Sequence, residues 1–297
     1  MRDITGYFSS AVLVLVLAAC DDDPAVSADD CAGPPEVTVT EPGAEPHEIM
    51  EHSPTAGDTA TLDMRTTTEI SAEVDGDRVP ASPVPPMLLG MELTVDEVGD
   101  DEIAMSFVYD YGETPGGDPA VQRVLDSLVG VSGSVTTTRS GAFVDGGIDE
   151  GDLDPAMSEM VDQLEQQLAQ LTIPLPAEPV GVGAAWEAAS SVEIDGVTTC
   201  NFTTYRLAEF DGDDYELEVG IDQQIVPATV QEGSASVEII EGEGHGTGRN
   251  GGSLSLPIAV SGTSEATTRM RMNVEQGGTE QEQELTVDVE LEISPRE

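Results

Sequence analysis

Apolar residues recur at every second position through much of the chain beyond residue 55. In "DEIAMSFVYDY", Ile103, Met105, Phe107, Tyr109 and Tyr111 share one face, and Ala104, Ser106, Val108 and Asp110 the other. "YELEVGI" repeats the arrangement with Tyr215, Leu217, Val219 and Ile221, and "ELTVDVELEI" with Leu285, Val287, Val289, Leu291 and Ile293. A period of two with one apolar and one polar face predicts antiparallel strands wetted on one side. Gly99 with Asp100, Asp195 with Gly196, and "DGDD" at Asp211 to Asp214 separate such runs, as hairpin turns do. The strands should therefore follow one another as a meander. Gly242, Gly244, Gly246 and Gly248 alternate along one predicted strand, which suits a sharp bend or a close backbone approach.

Two stretches switch to helical spacing. Asp154 can cap and Pro155 fits the first helical position, with Met157, Met160, Val161, Leu164, Leu168 and Leu171 following on one stripe before Pro174 ends it. Pro119 to Val129 aligns Val121, Val124, Leu125 and Leu128 in the same way. The expected fold class is mainly β (α+β). It would be a large curved antiparallel sheet, half-barrel-like, with one long and one short helix packed on it. Between helix and sheet, Met157, Met160, Leu164, Leu168, Trp186, Met270 and Met272 could line an apolar pocket. The same side chains would equally serve a filled core, which is the commoner role for a lone tryptophan.

The first residues follow another pattern. An apolar run from Ala11 to Ala19 is too short for the roughly 20 residues a membrane-crossing helix needs, so it reads as the apolar part of a secretion signal. Leu17, Ala18, Ala19 and Cys20 at its end resemble the lipobox of bacterial lipoproteins. That resemblance implies cleavage before Cys20 and acyl groups on its sulfur, which hold stably to a membrane when there are two or more chains. The chain then divides into a signal over 1–19, an acidic, proline- and alanine-rich flexible tether over 20–54, and a single β-rich domain over 55–297. The implied location is outside the cytoplasm, tethered to the cell membrane.

Charge narrows the partners. Asp and Glu number 59 against 10 basic residues, all of them arginine, for a formal net charge of −49. Nucleic acid binding rests on Lys and Arg neutralising phosphates, so it is excluded, and anionic lipid headgroups would be repelled. Such repulsion favours a soluble monomer. A solvated surface suited to a salty medium or to an acid-rich proteome is the plainest reading of so much acid. With Cys20 acylated, Cys31 and Cys200 remain as a pair in a compartment that permits a disulfide, although two separate thiols would fit the sequence as well.

The order of features has a family likeness. Strand hairpins run from Thr59 to Gly112, then come "GSVTTTRSGAFVDGG" and "PAEPVGVGAAW", and threonine- and methionine-rich strands reach the C-terminus. This resembles a group of actinobacterial envelope lipoproteins over most of residues 55 to 293. More distantly, it is similar to periplasmic lipoprotein carriers and mycobacterial lipid-binding lipoproteins. These hold acyl chains between sheet and helix, so the resemblance implies an apolar ligand.

Signals of catalysis fail on context. "GTGRNG" has dinucleotide-loop glycines at Gly246, Gly248 and Gly251, but strand-like sequence follows instead of a helix. His47 and His52 stand five apart, whereas zinc-protease helices need four. No serine or cysteine partner is evident for His245, and the acidic stretches from Asp145 and Asp211 miss the calcium-loop pattern. No catalytic residue, metal or cofactor is therefore expected. The expected function is that of a non-enzymatic, lipid-anchored envelope lipoprotein with a possible apolar ligand. The runner-up is an acidic surface or interaction protein with a filled core, and a metal-dependent hydrolase comes third.

Overall fold

The computed structural model describes residue 31 and residues 36–79, 84–149, 171–194, 196–232 and 235–296. Its strands are β1 (Glu36–Glu41), β2 (Thr59–Val74), β3 (Asp77–Val79), β4 (Met87–Val98), β5 (Glu102–Glu113), β6 (Ser132–Thr138), β7 (Phe143–Ile148), β8 (Ala185–Ile194), β9 (Val197–Asp211), β10 (Asp214–Ile225), β11 (Ala228–Glu232), β12 (Ala235–Ser253), β13 (Leu256–Gln276) and β14 (Thr279–Pro295). One helix, α1 (Pro119–Leu128), stands among the described residues. The strands make a 14-stranded antiparallel sheet in the order β1-β8-β9-β10-β12-β13-β14-β2-β4-β5-β6-β7, with β11 and β3 attached to β12 and β2. It is large, mainly β and not closed into a barrel.

The predicted alternation sets the faces. On β5, Ile103, Met105, Phe107 and Tyr109 are buried while the intervening residues are not. Tyr111 departs from that pattern. A bulge opposite Gly90 and Met91 flips the strand after Tyr109, so Gly112 takes the buried side. Tyr111 turns to the other face, where the Arg296 guanidinium lies 4.8 Å from its ring centroid. Extra residues in one strand do this because side chains alternate strictly. At Gly112 an added Cβ would meet the Leu125 side chain at 3.0 Å, so glycine lets α1 sit close on β5. The helix is capped by Asp118, whose carboxylate accepts from the backbone of Ala120 and Val121, and it buries Leu125 and Leu128.

The ordered fold begins well before residue 55. Val37 and Val39 of "EVTVTE" pair with Ala188 and Trp186, making β1 an edge strand. Met50 and His52 are fully buried. The backbone of His52 donates to Arg139, that of Ser53 to Leu254 and that of Gly57 to Val95. Residues 36–54, expected to belong to a flexible tether, instead carry β1 and a few apolar side chains and main-chain bonds that strap 42–58 across the sheet. Cys31 and Cys200 are joined in a disulfide with Cα atoms 5.5 Å apart. The long helix expected from Pro155 lies outside the described residues, apart from its end at Leu171, which is buried.

Two apolar clusters form the core. One gathers Leu62, Met64, Met91, Leu93, Tyr109 and Leu125 with their neighbours, and the other gathers Met50, Ile173, Leu175, Trp186, Leu207 and Leu217.

Candidate functional site

The long strands separate charge from apolar surface across the sheet. Register aligns Thr203, Ile221, Gly246, Ala266, Val289 and Thr68 in one row from β9 to β2. The next row is Asn201, Gln223, Gly244, Thr268, Val287 and Ile70, and the one after it Thr199, Ile225, Gly242, Met270, Leu285 and Ala72. No charged residue occurs in these rows. The alternate residues of these strands point the other way and include Asp222, His245, Asp288 and Glu69 in one row, and Glu218, Arg249, Glu292 and Arg65 in another. On that charged face Arg249 pairs with Glu216 at 2.6 Å and Glu218 at 3.0 Å, and Arg271 with Glu241 at 2.9 Å.

On the uncharged face Ile70, Ala72, Ile221, Ile225, Met270, Met272, Leu285, Val287 and Val289 are only half-buried. Further along the same face the side chains are fully buried. Trp186 is wholly covered, stacks on Tyr205 with ring centroids 5.7 Å apart, and donates from Nε1 to the Pro174 carbonyl at 2.9 Å. Burial raises the pKa of Tyr205 to about 12 and that of Tyr215 still further, keeping both phenols neutral.

The glycine strip on β12 shapes this face. A Cβ at Gly242 would come within 2.7 Å of Ile225, one at Gly246 within 2.9 Å of the Glu265 carbonyl, and one at Gly248 within 2.8 Å of the Thr263 carbonyl. Neighbouring strands therefore approach more closely than any side chain would allow. At Gly244 the gap is bridged by hydrogen bonds. Thr268 Oγ1 donates to Gln223 Oε1 at 3.0 Å, and Gln223 Nε2 donates to Asn201 Oδ1 at 2.8 Å.

Of the residues expected to line a pocket, the structure puts Met270 and Met272 together on the uncharged face. It puts Trp186 in the packed core. Met157, Met160, Leu164 and Leu168 lie outside the described residues, as does Cys20. The glycine alternation was legible in the sequence, but Asn201, Gln223 and Thr268 were not, because they meet only through register.

Among the described residues no group of three or more His, Cys, Asp and Glu is placed to hold a metal ion. His47 is exposed and bonds the Gly43 carbonyl, and His245 pairs with Asp222 at 2.7 Å on the charged face. His52 is buried, and that burial pulls its pKa down to about 4, against a smaller opposing pull from the backbone of Leu254 and Ser253. Among the described residues no helix is long and apolar enough to cross a membrane.

No family model and no curated protein matches the chain. Among solved structures, an outer membrane channel from Pseudomonas putida F1 is similar over 82% of this chain and 97% of that one, at 9% identity and a TM-score of 0.16, a likeness too slight to carry any argument.

Proposed function

We propose that the protein is a non-enzymatic lipoprotein of the cell envelope, anchored through acyl groups on Cys20, that holds an apolar ligand against the uncharged face of its sheet. The observation that carries the ligand is that face. In a chain of net charge −49, uncharged rows run from β9 to β2, and their isoleucine, leucine, valine and methionine side chains are half-buried. Each partly exposed aliphatic side chain leaves area whose removal from water would stabilise a complex by about 25 cal/mol per Å². An ionic partner would meet the opposite face instead. The anchor rests on the sequence of residues 17–20 and on the family resemblance.

One mass-spectrometric experiment addresses both halves. Protein extracted from the producing cell's membrane should give an N-terminal peptide beginning at an acylated Cys20, and its organic extract should give an apolar compound near one per chain. An unacylated N-terminus sinks the anchor. An extract empty of any stoichiometric compound sinks the ligand and leaves an acidic interaction protein.

A further inference from the structure

The uncharged face is not uniformly apolar, and the exception is ordered. Asn201, Gln223 and Thr268 form a half-buried hydrogen-bonded rung from β9 to β13, crossing Gly244 on β12. Gly244 is part of the device. An added Cβ there would lie 2.5 Å from Gln223 Oε1 and 2.9 Å from Thr268 Oγ1, in the path of the bond that joins them. On one side of the rung lie Ile225, Met270, Leu285 and Ala72, and on the other Ile221, Ala266 and Val289.

The rung keeps bonding capacity to spare. An asparagine amide has two N–H donors, a glutamine amide has a second N–H and a second lone pair, and a threonine hydroxyl can accept. None of these groups carries a charge. The arginines at positions 65, 206, 249, 269 and 271 all belong to rows of the opposite face. An anionic headgroup on the rung would find no cation and would enter the field of a strongly acidic protein. A bare hydrocarbon would leave the spare donors and acceptors buried without partners, which costs free energy.

We propose, resting on the reading of this face as a ligand site, that the rung is a headgroup subsite for a neutral amphiphile of the acylglycerol type. Its hydroxyl and ester oxygens meet Asn201, Gln223 and Thr268. Its acyl chain runs over Met270, Leu285 and Ala72. The face thereby discriminates against fatty acids and anionic phospholipids.

The test uses the full chain carrying Cys20→Ser, so that no acyl anchor competes, with diphenylhexatriene as a purely hydrocarbon fluorescent probe. The probe should brighten on binding. Monooleoylglycerol should displace it at roughly tenfold lower concentration than oleate does at mildly alkaline pH, where the carboxylate is charged. Gln223→Leu should erase that preference while probe binding persists, and the near-isosteric Thr268→Val should weaken it without disturbing the fold. Oleate competing as well as monooleoylglycerol, or the preference surviving both substitutions, overturns the headgroup subsite and leaves the apolar site standing. Failure of the probe to bind the unsubstituted chain assigns the face to packing within the protein and overturns the ligand reading itself.

Discussion

The strand β2 belongs to two different environments along its length. Leu62 and Met64, near its start, are buried to within 3% of complete coverage, whereas Thr68, Ile70 and Ala72 on the same face are half-open. β13 repeats the contrast, with Ile258 and Ala259 closed off and Ala266, Met270 and Met272 half-covered. The alternation of apolar side chains is the same in both regions. What differs is the covering layer. At the closed end α1, the strap of residues 42–58 and the turn-rich stretch 171–180 lie over the sheet and contribute Met50, Leu125, Ile173 and Leu175 to the core. A period-two pattern thus marks the face a strand keeps from bulk water, but not how completely that face is shut.

The sharpest way to break this comparison is to delete the same kind of side chain from each region of one strand. Leu62→Ala removes a fully enclosed side chain and should cost about 3 to 4 kcal/mol through lost burial and the cavity left behind. Ile70→Ala, at the half-open end of the same face, should cost only about 1 kcal/mol, because water already reaches the site. Urea titration followed by the fluorescence of Trp186 reads both. Equal losses would mean that the distal half is as tightly packed as the core, and the contrast between the regions would disappear.

The strap offers a second, pH-dependent probe of the closed end. His52 is neutral in the fold, with its pKa lowered from 6.5 to about 4 by burial. Above 6.5 both the folded and unfolded forms leave it uncharged, and its contribution is constant. As pH falls from 6.5 towards 4 the unfolded chain binds a proton that the folded chain resists, so stability declines by up to about 3 kcal/mol and then levels off. Carboxylate protonation relieves self-repulsion in the same range, so the loss is isolated by comparison with His52→Leu. The difference in unfolding free energy between the two proteins should shift by about that amount across the window. A difference that stays flat with pH would place His52 in contact with water and the strap off the sheet.

What the sequence disclosed, and what it hid, follows from the range of the interactions. Alternation, turns and the helix from Pro119 are local, and they were readable from neighbouring residues. β1 was readable too, since "EVTVTE" alternates, but its acidic and proline-rich surroundings masked a strand stabilised mainly by pairing with β8. The turn of Tyr111 to the charged face depends on a bulge opposite Gly90, and bulges leave no periodic trace before the partner strand is known. The candidate site divides in the same way. Met270, Met272 and the β12 glycines stood out as a pattern, whereas the rung of Asn201, Gln223 and Thr268 brings together positions 22 and 45 residues apart, which only the register of the sheet aligns.

The smallest expected effects test whether close approach at the β12 glycines shapes the uncharged face. Gly246 and Gly220 lie on adjacent paired strands but project towards opposite faces. A Cβ at Gly246 would press within 2.9 Å of the Glu265 carbonyl oxygen, a backbone atom that cannot swing aside, whereas one at Gly220 would find its nearest neighbour at 4.0 Å, on Thr204. Gly246→Ala should therefore destabilise by about 1 to 2 kcal/mol as the strands move apart. Gly220→Ala should be neutral or stabilise by about 0.5 kcal/mol, because alanine has less backbone freedom to lose on folding. Calorimetric melting of the two variants decides the matter by the sign of the difference. If both shift the melting temperature alike, strand-by-strand entropy governs these positions, and the close strand approach assigned to the β12 glycines loses its role in shaping the uncharged face.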